Sequence, residues 1–583
     1  MAWPPLKLTL ITAFVTFGAN WPFGYQITYV NTAVVTFYES FSAAYRLDHN
    51  CTLCTLPASE WSWLWGATVA SIYPGALLGF VAVPSLVHRL GTKRALLYST
   101  LPALLGSLVS VICRVKTLQL VTQPRWYWNE DVIMMEFLVV GRLLIGFHAG
   151  VALACVPAFI VETSDERRGR GVLLGLQQVA MALTSLSGMV FGSRTVMAFA
   201  HARHFHVELL QAVGAVPTAA LALVLLALPD TPLWLVRTGD YVGAELSLRF
   251  YQCDGLARVG QALIDEAREA TRIRWAVLLR LFRRSASASV ELARKGLLLG
   301  CVAGLSYAFT ADDLIDSYSS HVFQNVGRKH HQPGRSAVEP DLFTILLGIV
   351  LLLASLGGCW LAERVGRRPA LLVGLVGTAL STATLPAAKF LLPTDGAYKV
   401  AALLAFSTTK LFIGLGAGGP AWFLASELLD KEFRTVGQTV ATGVLLSANG
   451  VVALVYLMVD ALLPFYSFLI LASAPALFCA LVLYLYLPET KDLTIYEVQA
   501  NMARIVPLQA LARRPRWDRS SQRSAAESSR RELRPLLGGS MRSGRRRGGA
   551  GSVVGSSDAD NDDGRSARIA YNSLDEDDEE PIF

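Results

Sequence analysis

Three carboxylates, Asp312, Asp313 and Asp316, stand inside the apolar run Gly296 to Tyr318. An ionisable side chain in a membrane interior is costly and as a rule faces a pathway or a partner. Placed there, a carboxylate can bind a cationic solute or carry a proton. The bland alternative is that the run ends early and all three lie in outside water. A second group with chemistry flanks the apolar runs: Arg364, Arg367 and Arg368 follow one run, Glu427 and Arg434 follow another, and Glu162 with Arg168 and Arg170 follows a third. Opposite charges so spaced can pair at a membrane surface. They can also serve only to orient the chain.

The elements that must position these residues follow from composition. Of 583 residues, 53% are hydrophobic and only 17% charged, against about 25% charged in a soluble domain. Mean hydropathy is +0.42. The chain reads as an all-α integral membrane protein. The net charge of +7 does not indicate nucleic acid, because its Lys and Arg lie in loops and tail without a nucleic-acid-binding pattern. A span needs roughly 20 helical residues, and about twelve such runs recur. The first six lie near Leu8 to Thr32, Leu64 to Val87, Ala95 to Cys113, Val132 to Pro157, Gly171 to Val190 and Val207 to Leu228. The second six lie near Gly296 to Tyr318, Leu342 to Leu361, Ala370 to Phe390, Val400 to Phe423, Val436 to Val459 and Pro464 to Leu487.

Residues 229–295 divide the two sets. This interval is dense in Arg and Lys, as a cytoplasmic loop should be, and its helix-forming stretches, 244–251 and 262–281, read as short surface helices rather than a catalytic domain. The expected organisation is a six-helix bundle over 1–228, the linker, a second bundle over 296–487 and a tail from 488. Basic residues after the second, fourth and eighth spans put those loops and both termini in the cytoplasm. Arg328, Lys329 and Arg335 run against that rule locally. On the other side, Asn50-Cys51-Thr52 is a glycosylation acceptor, with Cys54 nearby. Gly414 to Pro420, rich in helix breakers, is expected to line a cavity, with close helix packing as the alternative.

The halves repeat. Arg89-Leu90-Gly91-Thr92-Lys93-Arg94 follows the second span and Arg364-Val365-Gly366-Arg367-Arg368 the eighth, while Glu162 with Arg168 mirrors Glu427 with Arg434. Parallel six-span repeats resemble the major facilitator superfamily. Gly141-Arg142 leading to Glu162, Pro229-Asp230-Thr231-Pro232, Pro488-Glu489-Thr490-Lys491 and Phe23-Gly24-Tyr25 with Asn31 resemble its sugar-porter branch, the facilitative glucose transporters and their relatives. The resemblance covers roughly residues 8 to 500. It implies a major facilitator fold and alternating access, with Arg142, Glu162, Arg364, Arg367, Arg368, Glu427 and Arg434 as gating residues.

The same resemblance implies a substrate site. Gln178, with Gln177 beside it, falls on the family's substrate-binding glutamine if the loop after Thr163 carries one extra residue. Trp422 and Asn449 match a family tryptophan and asparagine. Amide and indole groups pair with hydroxyls without carrying charge. The seventh span departs from the pattern: Asp313 stands in place of the family asparagine and Tyr307 in place of a glutamine. In the eleventh span, Leu445 and Leu446 replace Asn-Trp.

The tail from about residue 504 is Arg-, Ser- and Gly-rich, acidic at its end, and expected to be disordered. Glu532, Leu536 and Leu537 look like an acidic dileucine sorting signal, and Tyr571 opens a tyrosine-based one, so sorting adaptors are expected partners and the plasma or endolysosomal membrane the expected location. The expected function is facilitative transport of a sugar or polyol, not enzymatic, with no cofactor and no metal. Two alternatives stand beside it: a proton-coupled or cation-accepting carrier using Asp313, and a sensor that binds solute without moving it.

Overall fold

A computed structural model of the chain describes residues 5–49, 54, 56–112, 130–164, 170–193, 207–251, 288–325, 338–392, 394–429, 431–491, 493 and 495–505. Asn50, the helix expected over 262–281 and the motifs at Glu532, Leu536, Leu537 and Tyr571 lie outside them. Cys54 is disulfide-bonded. Among the described residues the regular structure is entirely helical, and eleven helices are long and apolar enough to cross a membrane. The first helix, Leu6–Thr32, is also long enough at 27 residues but carries buried Asn20, Gln26 and Asn31, which dilute its apolarity. It completes a set of twelve.

The first six spans are Leu6–Thr32, Ala58–Leu90, Thr92–Ile112, Glu130–Thr163, Arg170–Gly192 and Val207–Ala227. The second six are Val290–Gln324, Val338–Val365, Arg367–Leu391, Gly396–Trp422, Lys431–Leu462 and Leu469–Tyr486. Large apolar side chains such as Leu101, Leu223, Leu298, Leu353 and Phe478 point outward. Polar and aromatic side chains fill the interior, where Tyr25, Tyr29 and Tyr73 are buried. With lipid outside as apolar as leucine, burial of apolar area does not drive helices together, so close packing and interior hydrogen bonds must.

The second and fourth spans show such packing. A Cβ on Gly75, Gly79, Gly146 or Gly150 would come within 1.9 to 2.2 Å of a carbonyl oxygen of the facing helix. Only glycine admits that approach. The seventh and tenth spans, by contrast, are not regular. The seventh is helical over Ala288–Ala308, turns at Phe309 to Ala311, where Ala311 takes a φ of +67°, and resumes as Asp312–Asn325. The tenth passes through one π-helical turn, Ile413–Ala417.

Between the halves lie the short helices Pro232–Thr238 and Tyr241–Phe250, the second capped by Asp240, whose Oδ1 accepts from the Gly243 amide at 2.8 Å. On the same charged-loop face, spans two and eight end at Gly91 (φ +79°) and Gly366 (φ +106°), in the left-handed region that favours glycine. The residues just after each glycine are held by an acid from the end of that half. Arg94 and Lys93 pair with Asp230, at 2.6 and 3.2 Å. The amides of Arg367 and Arg368 donate to Glu489, at 3.1 and 3.3 Å. The Pro-acid-Thr motifs at Asp230 and Glu489 are thus matching clasps of one duplicated unit.

Two outcomes are expected. Gly150→Ala should cost about 1–3 kcal/mol by overpacking and lower the thermal midpoint of the purified protein. Gly396→Ala, where a Cβ meets nothing within 4 Å, should not; equal midpoints would contradict the packing account. Burial opposes ionisation of Asp230, but Arg94 and Lys93 outweigh it and hold the carboxyl below its ordinary range. A depressed carboxylate contributes stability above its unfolded value and loses it as pH falls through the folded one. Asp230→Asn should therefore cost up to about 1 kcal/mol at neutral pH, with the difference from wild type vanishing in strong acid.

Candidate functional site

The carboxylates of the seventh span do not sit in outside water. Asp312 and Asp316 are buried, and both accept from the Nζ of Lys410, a tenth-span residue with 0% exposure. The Lys410 to Asp312 contact is 2.5 Å, and the Asp316 contact is closer still. Tyr307 donates its hydroxyl to Asp312 at 2.6 Å. The reading of three solvated acids is corrected for a physical reason: an ammonium within the tenth span needs compensation, and the seventh span supplies it. Asp312 and Asp313 also open a helix, where negative charge is favoured. Sequence reasoning passed over Lys410. A single Lys inside an apolar run, opposite a run with three acids, was the available signal.

Asp313 is held differently. Its Oδ2 accepts from the Tyr73 hydroxyl at 3.2 Å and from Asn449 Nδ2 at 2.5 Å. Tyr73 belongs to the first half, Asn449 to the second, so this half-buried carboxylate bonds across the two. Asn449, matched by resemblance alone, is thereby brought to the residue that departs from the family pattern. Leu445 and Leu446, the other departure, are buried core.

The remaining candidates divide. Gln177 donates to Asn20 of the first span at 2.9 Å, a bond between neighbouring helices. Gln178 points the other way, across the halves: a Cβ on Gly418 would lie 2.9 Å from its Nε2. Trp422 is half-buried and packs on Tyr307 with ring centroids 5.2 Å apart. In the breaker cluster Gly414 and Gly416 press on the eighth and ninth spans, the close-packing alternative, while a Cβ on Gly419 would meet nothing within 4 Å. A separate apolar cavity of about 610 Å³ opens between Leu77, Leu305, Phe309, Val444 and Val452. None of the sequence-predicted site residues lines it.

The gating candidates also separate by place. On the charged-loop face, Thr92 donates to Glu162 at 2.6 Å, Thr490 to Glu427 at 2.5 Å, Arg368 to the Tyr484 carbonyl at 2.7 Å and Lys491 to the Arg364 carbonyl at 2.9 Å. Arg367 lies 3.7 Å from Glu427, and the charge of Arg434 also acts on that acid. These bonds stay within their own half. Arg142 is elsewhere: it sits on the same helix as Glu162 but about 30 Å along it. There it is fully buried, donating to Gln26 at 2.8 Å and to the Val69 carbonyl at 3.2 Å. The halves meet on the opposite face, where Asn31 donates to Ser319 at 2.9 Å and accepts from the Ser320 amide at 3.0 Å. A Cβ on Gly66 would lie 2.7 Å from the Leu454 carbonyl.

Comparison with known proteins accords with this arrangement. The family model described as sugar (and other) transporter matches residues 11–502. Facilitated glucose transporter protein 1 of Caenorhabditis elegans is 26% identical over 502 residues, 85% of this chain and 91% of the relative. Solute carrier family 2, facilitated glucose transporter member 4 of Mus musculus is 27% identical over 489 residues, covering 83% and 88%. Among solved structures, the partially occluded inward-open xylose transporter XylE from E. coli superposes with a TM-score of 0.64 at 20% identity, over 83% of this chain and 99% of that one. The proton:xylose symporter XylE bound to 6-bromo-6-deoxy-D-glucose gives 0.65 at 20% identity, over 85% and 99%. At such identity the structural likeness speaks for the fold, which is that of the major facilitator superfamily. The family match covers most of the chain, and the chain belongs to the sugar (and other) transporter family.

Proposed function

We propose that the chain is an alternating-access carrier for a sugar or polyol, bound near mid-membrane between the halves by Gln178, Asp313, Trp422 and Asn449, with Tyr307 as an aromatic wall. The observation that carries this reading is the crossing at Asp313, where a first-half phenol and a second-half amide converge on one acceptor. Amide donors and a carboxylate acceptor beside aromatic faces suit a hydroxylated solute. Rocking of the two bundles about that crossing would expose it to each side in turn.

In this reading the present state is closed by Asn31, Gly66 and their partners, and Gln178, Gly419 and Trp422 are reached from the charged-loop face, taken as cytoplasmic. Glu162, Arg364, Arg367, Arg368, Glu427 and Arg434 then brace the loops of their own halves and form the gate when that face closes. Arg142 takes a different part, tying the first, second and fourth spans together behind Tyr73.

Uptake into proteoliposomes, screened over hexoses and polyols, tests the proposal. Gln178→Ala and Trp422→Ala should each weaken transport a few-fold to about tenfold, the effect of losing about 0.5–1.5 kcal/mol of contact, while purified protein stays folded and monodisperse. Unchanged kinetics in both variants would overturn the site. Solute binding without flux in the wild type would point instead to a sensor.

A further inference from the structure

We infer that the apolar crevice between spans two and eleven is a binding site for one acyl chain of a bilayer phospholipid, and that the chain lodged there holds the present state. Only the second part rests on the carrier reading above; the site itself needs no solute. The crevice has a volume of about 610 Å³, inside the range of about 300–1,000 Å³ over which pockets enclose small organic ligands. Its walls come from both halves: Leu77 and Val81 from span two, Leu305 and Phe309 from span seven, and residues between 439 and 452 of span eleven.

The lining faces lipid rather than the proposed solute site. Val440, Val444, Ser447 and Val451 recur at helical spacing along one side of span eleven. Asn449, bonded to Asp313, and buried Leu445 lie on the other side. At the rim Val81 and Val451 are exposed, as is Leu78 beside them, so the crevice continues the outward-facing apolar surface. Among the described residues its only hydroxyls are those of Ser447, which donates to the Gly443 carbonyl of its own helix at 2.8 Å, and buried Thr439. Water would find few partners there; an apolar chain needs none. The lining of span eleven runs about 20 Å along the helix, room for the whole of a chain that fills one leaflet, about 15 Å of the bilayer core. Its near end, Thr439, lies about 12 Å in from the start of the helix at Lys431. That depth suits a chain whose headgroup stays at the charged-loop surface.

The crevice also has a place in the cycle. Spans two and eleven touch toward the face opposite the charged loops: a Cβ on Gly66 would lie 2.7 Å from the Leu454 carbonyl, one on Gly450 3.0 Å from Tyr73 and one on Gly443 3.3 Å from Leu77. The crevice stands where the spans part, with Val81 on one wall and Thr439 and Val440 on the other. When rocking opens the opposite face, the charged-loop ends of the two spans approach and this space closes. A chain within it must leave first or block the movement. It therefore binds the present state more tightly than the other, and its binding shifts the population toward the present state.

Full-length protein in phosphatidylcholine proteoliposomes, with a trace of phosphatidylcholine bearing a diazirine in one acyl chain, tests this by irradiation, digestion and mass spectrometry. Peptides holding residues 77–81 and 439–452 should be labelled several-fold more heavily than those holding Leu223 and Leu353, which point outward elsewhere. Ala448→Phe and Val81→Phe fill the crevice from opposite walls, and each should remove the excess while leaving the other labels unchanged; with two such variants, a failure of one to fold does not close the test. Gly66→Leu lies outside the crevice and pries the two spans apart at the opposite face. It should lower the excess by about fivefold or more, the usual scale of coupling between a site and a conformational change. Equal labelling at all these places, an ordinary bilayer contact only, overturns the inference, as does an excess that survives the filling variants or Gly66→Leu. An excess from a diazirine cholesterol with none from the phospholipid also overturns it, by giving the crevice a different occupant. These readouts use no solute, so they decide the inference whatever the uptake screen returns for the carrier reading.

Discussion

An ammonium in the membrane interior, Lys410, gripped by Asp312 and Asp316, is the interaction on which the rest of the site depends. Removing one partner of such a buried pair leaves an uncompensated charge, at a cost of about 3–5 kcal/mol. The pairing ties the second part of the seventh span to the tenth. Just past the turn at Phe309 to Ala311, where Ala311 takes a φ of +67°, Asp312 and Asp316 stand four residues apart on one helix and so share the face that meets Lys410. Asp313, the next residue round that helix, turns to another face and meets Tyr73 of the first half. A structural ion pair and a neighbouring carboxylate bonded across the halves thus arise from one short segment.

The two halves are built alike where loops must be held and unlike where solute would bind. Gly91 with Asp230 and Gly366 with Glu489 solve the same problem, gathering the start of the third or ninth span onto an acid just past the sixth or twelfth. The solutions differ in detail: the first uses side-chain cations, the second backbone amides. At mid-membrane the symmetry is broken. The second half contributes the charged triad, Asn449 and Trp422, while the first contributes Tyr73 and Gln178 and keeps its own buried cation, Arg142, bonded to Gln26 and a backbone carbonyl.

Much of the fold was legible in the sequence because membrane spans and repeat motifs depend on local composition. Runs of apolar residues marked the spans, and paired Gly-Arg motifs marked the duplication. The first span was legible by length and position although Asn20, Gln26 and Asn31 make it less apolar than the others. The site was legible only in part. Gln178, Trp422 and Asn449 came from resemblance; Gln178 reaches Gly418 across the halves, Asn449 bonds Asp313, and Trp422 packs on Tyr307. Two features resisted. Lys410 matters because of a partner about a hundred residues away, a pairing that local pattern does not encode. Arg142 and Glu162 share a helix, and only its length separates a mid-membrane tie from a surface brace.

The central claim is that Lys410 neutralises Asp312 and Asp316 and so fixes the orientation of the helix that presents Asp313. The most direct measurement compares thermal midpoints of purified Lys410→Met with those of the triple variant Lys410→Met, Asp312→Asn, Asp316→Asn. The claim predicts a severe loss of stability in the single variant and substantial recovery in the triple, since the triple no longer buries the two carboxylates that Lys410 neutralises. A single variant that melts with the wild type, or a triple variant no better than the single, would contradict it.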